Sequence, residues 1–190
     1  MVYDGILLSI LVGLFRGGNF KGIVDLKLKH GWIFPVLLLI QIVIFSLQSK
    51  VEWIGASSNI IFMVVYMVGL SFLWINRDQP GFKTILIGVL LNFVVMAVNG
   101  GRMPVSPEAA TVIDPMYTEM LQSGLYGKHQ LLTDSTLLGF LGDIIPLSSP
   151  YPRTQVISIG DVIMNIGMFF FIQQFMLSGR KNQENTIHTN

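Results

Sequence analysis

The stretch Ser158-Ile-Gly-Asp161 opens an apolar run that continues as VIMNIGMFFFIQQFML over residues 162–177, and this run decides the fold. A helix of about 20 apolar residues is long enough to cross a bilayer. A carboxylate at the mouth of such a helix is costly to keep ionised near hydrocarbon, so Asp161 is a candidate functional residue by default.

Four more apolar runs precede this one, so the sequence predicts an all-α membrane protein. The five runs cover residues 5–15, 31–48, 59–75, 82–98 and 157–177. The first run is short for a span, so the prediction is a bundle of five transmembrane helices, or four if the first does not cross. Residues 1–178 form one integral membrane domain with a long connection at 100–156, and residues 179–190 are predicted to be a disordered tail.

Composition supports a membrane protein and excludes several kinds of site. The chain has 52% hydrophobic and 12% charged residues, whereas soluble domains carry about 25% charged residues. The net charge of +1 gives no electrostatic basis for binding nucleic acid. The absence of cysteine excludes disulfides, thiolate catalysis and cysteine-ligated metals.

The basic residues predict the orientation. Lys27, Arg77 and Arg180 lie in the segments richest in Lys and Arg, whereas the alternate segments carry few. The positive-inside rule then places these three residues and the C-terminus in the cytoplasm and the 100–156 connection outside.

A second acid, Asp143, lies in another apolar stretch, so Asp143 and Asp161 are the candidate catalytic pair. Two carboxylates can divide the roles of general base and general acid. Two other interpretations stay open. Asp161 can form a capping pair with Ser158 at the helix start, and Asp143 can be a surface acid on an interfacial turn.

Further polar residues are candidates for binding substrate. Asn165 shares a helical face with Ser158 and Asp161 at i, i+3 and i+7 spacing. The turn Asn99-Gly100-Gly101-Arg102 combines a flexible backbone with a guanidinium that can grip an anion. Its alternative is a plain helix C-cap whose arginine reaches lipid phosphates. His129, Asp134 and Thr136 are too few as ligands for a metal, and neither a metal nor another cofactor is predicted.

Three motifs carry a resemblance to known families. Asn99-Gly-Gly-Arg-Met-Pro-Val105, Thr136-Leu-Leu-Gly-Phe-Leu-Gly-Asp143-Ile-Ile-Pro146 and Ser158-Ile-Gly-Asp161 together resemble a bacterial family of small polytopic membrane proteins catalogued as a domain of unknown function. That resemblance implies a multi-pass protein of the bacterial cytoplasmic membrane. The C-terminal half also resembles lipoprotein signal peptidase, which implies that Asp143 and Asp161 form an aspartyl dyad, although Ser158 stands where that family has Asn.

The leading functional prediction is therefore an aspartyl-type outer-leaflet hydrolase or peptidase. Its substrate would be a membrane-embedded peptide or a lipid-linked molecule, and membrane lipids would be its other partners. The alternatives are a non-enzymatic lipid-binding or membrane-complex assembly subunit and, third, a small transporter.

Overall fold

The computed structural model describes residues 2–24, 26–48, 50–113, 118, 121 and 127–188. Within them the chain is mostly helical. The helices are α1 (Val2–Phe15), α2 (Lys21–Val24), α3 (Ile33–Leu47), α4 (Glu52–Ile75), α5 (Phe82–Val98), α6 (Pro107–Ile113) and α7 (Ile159–His188).

Each predicted apolar run corresponds to a helix, with two differences at the ends. Helix α4 begins at Glu52, seven residues before the predicted run, because the intervening segment Glu52-Trp-Ile-Gly-Ala-Ser-Ser58 continues the helix. Helix α7 continues to His188 and so includes residues 179–188, which the sequence analysis assigned to a disordered tail. Residues 189–190 of that tail lie outside the described part of the chain.

The connection between α5 and α7 contains small β-structures, which corrects the all-α prediction. Strand β1 (Met103–Val105) pairs in parallel with β2 (His129–Leu131). Strand β3 (Ile145–Leu147) pairs antiparallel with β4 (Gln155–Ile157). Three-residue strands give too little alternation to be recognised in a sequence, since strand patterns need four to eight residues.

The same connection contains a short helix. Helix α6 follows Ser106, whose hydroxyl accepts a hydrogen bond from the Ala109 amide at 3.3 Å. Ser106 is therefore the N-cap of α6. Residues 114–117, 119–120 and 122–126 of the predicted connection lie outside the described residues.

Helices α5 and α7 pack closely because glycines face each other across their interface. A β-carbon on Gly88 would lie 2.4 Å from the Gly160 carbonyl oxygen, and one on Gly81 would lie against the Gly167 carbonyl oxygen. The two pairs are seven residues apart on both helices, which is about two helical turns. Small residues at such positions let helix backbones approach closely. This contact brings the start of α7 against the middle of α5.

Helix α1 packs against the other part of α7 through polar groups. The fully buried Ser9 donates to the Phe169 carbonyl at 3.0 Å, and the Gln173 amide donates to the Ser9 backbone and hydroxyl oxygens. Arg16 donates to the Gln173 side chain at 3.1 Å. The first apolar run is therefore an integral part of the helical bundle.

The outer surface of the bundle is apolar. In the described part of the chain, α4 and residues Ile159–Ser178 of α7 are long and apolar enough to cross a membrane, and Gly5–Phe15, Ile33–Leu47 and Phe82–Val98 are shorter apolar helices. Large hydrophobic side chains are exposed on all five of these helices. Soluble monomers rarely expose contiguous apolar surface of this kind, so the bundle is consistent with a membrane location.

Candidate functional site

Asp161 and Ser158 form a reciprocal cap at the start of α7. The Asp161 amide donates to the Ser158 hydroxyl oxygen at 3.0 Å, and the Ser158 amide donates to Asp161 Oδ2 at 3.2 Å. This is the capping-box arrangement, with an aspartate in the position usually held by glutamate. The capping pair that the sequence allowed is therefore present, and it fixes the orientation of the Asp161 carboxylate.

Asn92 of α5 joins this cap from the neighbouring helix. Its Nδ2 donates to Asp161 Oδ1 at 3.0 Å, while its Oδ1 accepts from the Ser158 hydroxyl at 2.8 Å. Both Asn92 and Ser158 are fully buried. The amide thus uses both its donor and its acceptor on α7, which the Gly88–Gly160 contact one turn away makes possible.

Asp143 is held beside β1 by its backbone. Its amide donates to the Pro104 carbonyl at 2.8 Å, and its carbonyl accepts from the Ser106 amide at 3.0 Å. The residue is only 8% exposed, so it is a buried acid rather than the surface acid of the alternative interpretation. Its Oδ2 lies 3.5 Å from Nε2 of His129 on β2, and its Oδ1 has no hydrogen-bond partner among the described residues.

The two acids belong to one polar cluster. Asp143 and Lys128 both lie close enough to Asp161 to interact with it electrostatically. Tyr66 of α4 interacts with both acids, with Lys128 and with the Asn92 amide. We call these seven residues the carboxylate cluster: Tyr66, Asn92, Lys128, His129, Asp143, Ser158 and Asp161. It lies where α4, α5 and α7 meet the small sheet of β1 and β2.

The Asn99–Arg102 turn closes α5. Gly100 and Gly101 adopt left-handed backbones, with φ of 71° and 81°, and the Gly101 amide donates to the Met96 carbonyl. The Asn99 side chain binds both backbone polar groups of Leu137. The turn is therefore a helix C-cap that holds the connection between α5 and α7. Arg102 is half-buried, and its side chain forms no hydrogen bond or ion pair within the described residues. The predicted role of this turn in binding substrate stays a prediction.

Among the described residues, Asn165 contacts the carboxylate cluster only through the backbone of its own helix. Its Nδ2 donates to the Asp161 backbone carbonyl at 2.9 Å, and its Oδ1 faces Gly5 of α1. It lines an apolar groove between α1 and α7 of about 260 Å³, together with Gly5, Leu8, Val162, Ile166, Phe169 and Phe170. Asn165 lies two helical turns after Ser158 on the same face of α7, as its i, i+7 spacing predicted. At that level the face is covered by α1, so the Asn165 side chain faces α1 and not the side chains of the carboxylate cluster.

Asp134 and Thr136 are also separate from His129. Asp134 is exposed, and the Thr136 hydroxyl accepts a hydrogen bond from the Thr133 amide at 2.9 Å. Within the described ranges, no group of three or more His, Cys, Asp or Glu side chains is arranged to hold a metal ion.

Four members of the carboxylate cluster were not predicted as site residues: Tyr66, Asn92, Lys128 and His129. Asn92 carried a usable signal, because an amide in the middle of an apolar helix needs a partner from the protein. Tyr66 gave none, since tyrosine is common in such helices. Lys128 and His129 are placed by the pairing of β2 with β1, which the sequence does not show.

The cluster has the parts needed for acid–base chemistry. It contains two carboxyl groups, an imidazole beside one of them, and a lysine that can offset their negative charge. The Asn92 and Ser158 donors keep the Asp161 carboxylate in one orientation, which is the preorganisation that catalytic groups require.

Comparison with known proteins identifies a matching family and a relative, both without a described function. The family described as "Family of unknown function (DUF5317)" matches residues 25–173. An uncharacterised protein of Thermotoga maritima is 32% identical over 171 residues, which cover 90% of this chain and 89% of that protein. No solved structure matches.

Proposed function

This chain belongs to the DUF5317 family of unknown function, so we propose an activity from its own geometry. The proposed activity is that of a membrane-embedded hydrolase that uses Asp143 and Asp161 as an acid–base pair. The proposed substrate is a membrane-embedded peptide or a lipid-linked molecule, attacked from the outer side of the membrane. The proposal also includes five membrane spans and a location in the cytoplasmic membrane. The C-terminus is placed in the cytoplasm on the basis of the distribution of Lys and Arg.

The observation that carries this proposal is the meeting of two acids from distant elements in one buried cluster. Asp143 comes from the connection and Asp161 from α7, and the two interact electrostatically. Placing two like charges together is costly, and proteins accept that cost mainly at functional sites. The likeness of the C-terminal half to lipoprotein signal peptidase also favours an aspartyl pair.

The mechanism follows from the usual chemistry of paired carboxyl groups. One carboxylate takes a proton from a water molecule, and the water oxygen bonds to the substrate carbonyl carbon. The other carboxyl group, initially protonated, gives its proton to the leaving nitrogen or oxygen as the bond to the carbonyl carbon breaks. Water is thereby added across the bond. The first carboxyl group now holds the single proton that the two acids share, and this proton returns to the second acid before the next cycle.

The test is hydrolysis by the purified protein in lipid vesicles. Synthetic transmembrane peptides and lipid-linked peptides would be incubated in ¹⁸O-labelled water, and the products analysed by mass spectrometry. We expect one labelled oxygen in the new carboxyl group. Asp143→Asn and Asp161→Asn should each reduce the rate by about 100-fold or more, since general acid–base catalysis contributes about 10²–10⁴.

Asp134→Asn is the matched control, because Asp134 is an exposed acid of the same connection. It should retain the full rate. Thermal unfolding of all three variants in the same detergent checks that the loss is chemical. Wild-type rates in both Asp143→Asn and Asp161→Asn would contradict the hydrolase.

A second candidate is a non-enzymatic assembly subunit, which is favoured by the hydrogen bonds of Asp161. Both of its carboxylate oxygens already accept hydrogen bonds, from Asn92 and from Ser158. In that function, Asp161 holds α7 against α5 through its hydrogen bond with Asn92. Asp161→Asn would then cost a cap and dipole contribution of about 0.5–2 kcal/mol and leave the cellular role intact.

A further inference from the structure

Two exposed tryptophans on α4 provide a scale for depth in the membrane. Trp53 is 67% exposed and Trp74 is 59% exposed, and they are 21 residues apart on one helix. Their separation along the axis is about 31 Å. That distance matches a hydrocarbon core of about 30 Å. Tryptophans prefer the two membrane–water interfaces, so Trp53 and Trp74 mark the outer and inner boundaries.

On this scale, α5 ends well below the outer boundary. Asn59 of α4 donates to the Gly100 carbonyl at 3.0 Å, which places the end of α5 level with Asn59. Asn59 is six residues beyond Trp53, or about 9 Å towards the inner side. The connection that follows α5 therefore begins inside the outer half of the bilayer.

The turn at residues 137–141 is fixed at this depth by contacts on both sides. Asn99 accepts from the Leu137 amide at 3.0 Å and donates to its carbonyl at 2.7 Å. At the other end of the turn, Leu141 packs against the core cluster that includes Met96, in the last turn of α5, and Met103 of β1.

The side chains between these two anchors are apolar and exposed. Leu137 is 58% exposed, and Phe140 is 61% exposed. Leu138 is exposed too, and it has a left-handed backbone with φ of 52°, which residues other than glycine rarely adopt. In water these three side chains would form a costly surface, whereas at this depth they would meet acyl chains.

We propose that residues 137–141 are a re-entrant turn embedded in the outer leaflet, with Leu137, Leu138 and Phe140 in contact with lipid acyl chains. The occupant of this surface is the bilayer itself, because Leu137 is bound to Asn99, which directly follows the exposed Val98 at the end of the apolar helix α5. Gly142 and Asp143 follow directly, so the turn forms a lipid-facing border of the carboxylate cluster. The inference rests on the membrane location in the proposed function, but it does not require the hydrolase.

The experiment measures depth by fluorescence quenching. Trp32, Trp53 and Trp74 would be replaced by Phe, and Phe140→Trp would supply the single fluorophore in vesicles of brominated phosphatidylcholine. Phe140 is exposed, so the larger ring has room. We expect its strongest quenching from bromines placed about 10 Å deeper than those that best quench a protein retaining only Trp53. Leu137→Trp, with the same three tryptophans replaced by Phe, should be quenched most strongly by bromines at the same depth.

Arg153→Trp is the aqueous control, since Arg153 is exposed and charged. Water-soluble acrylamide should quench Arg153→Trp strongly and Phe140→Trp weakly. The proposal is overturned if acrylamide quenches Phe140→Trp and Leu137→Trp as it quenches Arg153→Trp while Trp53 and Trp74 remain sensitive to bromolipid. Loss of bromolipid quenching at Trp53 and Trp74 would instead reject the membrane location itself.

Discussion

Asn92 shows how one residue sets the position of the candidate site. An amide in the middle of an apolar helix is costly unless its donor and acceptor are both used. Asn92 satisfies both by binding Asp161 and Ser158, and so it fixes where the carboxylate lies. Asn165 is the same residue type on α7, but its Nδ2 binds only its own helix and its Oδ1 has no partner among the described residues.

This difference leads to a prediction for the two asparagines. Asn92→Ala should lower the free energy of unfolding by about 1–3 kcal/mol, because it leaves buried polar groups of Asp161 and Ser158 without a partner. Asn165→Ala should cost less, since it removes no bond between helices. Chemical unfolding in one detergent measures both. Equal losses in the two variants would show that Asn92 does not join α5 to α7.

At the scale of elements, the contact between α5 and α7 depends on the absence of side chains. Gly88 and Gly160 touch through their backbones, and no β-carbon fits at either position. Because this contact aligns the start of α7 with Asn92, the glycines control the geometry of the carboxylate cluster without taking part in its chemistry.

Gly88→Ala should therefore destabilise the bundle. Its new methyl group would lie 2.4 Å from the Gly160 carbonyl oxygen, so the helices must separate. We expect a loss of about 1–3 kcal/mol, as for other overpacked positions. Gly69→Ala is the control, because its β-carbon would meet only Leu37 at an ordinary 3.9 Å. It should be neutral or slightly stabilising, since alanine favours helix. A thermal melt that ranks the two variants in the opposite order would reject the glycine contact.

At the scale of the whole molecule, the arrangement of helices and connection predicts an orientation. Lys27 lies in the basic segment between α2 and α3, and Arg153 lies in the connection. Both are exposed, and the chain has no cysteine of its own. Single cysteines at these positions can therefore be labelled without background.

Arg153→Cys should react with a membrane-impermeant maleimide in intact cells, and Lys27→Cys should react only after the cells are opened. The reason is the excess of Lys and Arg in the segments assigned to the cytoplasm. Arg153 is preferable to Lys128 for this test, because Lys128 belongs to the carboxylate cluster. The reverse pattern of labelling would invert the orientation.

The sequence by itself determined the helices and the capping pair, whereas the catalytic role of Asp143 and Asp161 stays a prediction. The apolar runs predicted α1, α3, α5 and α7 because hydrophobic burial depends on local composition and length. The Ser158–Asp161 pair was predictable because a capping box involves residues only three apart.

Only the tertiary structure decided which polar residues meet. Asn92 reaches Asp161 because two glycines allow α5 and α7 to touch. His129 reaches Asp143 because β1 lies between them and pairs with β2 on one side and with Asp143 on the other. These contacts join residues far apart in the chain, and their partners depend on helix packing and strand register. Neither leaves a periodic pattern in one sequence, so the carboxylate cluster emerges only when the chain is folded.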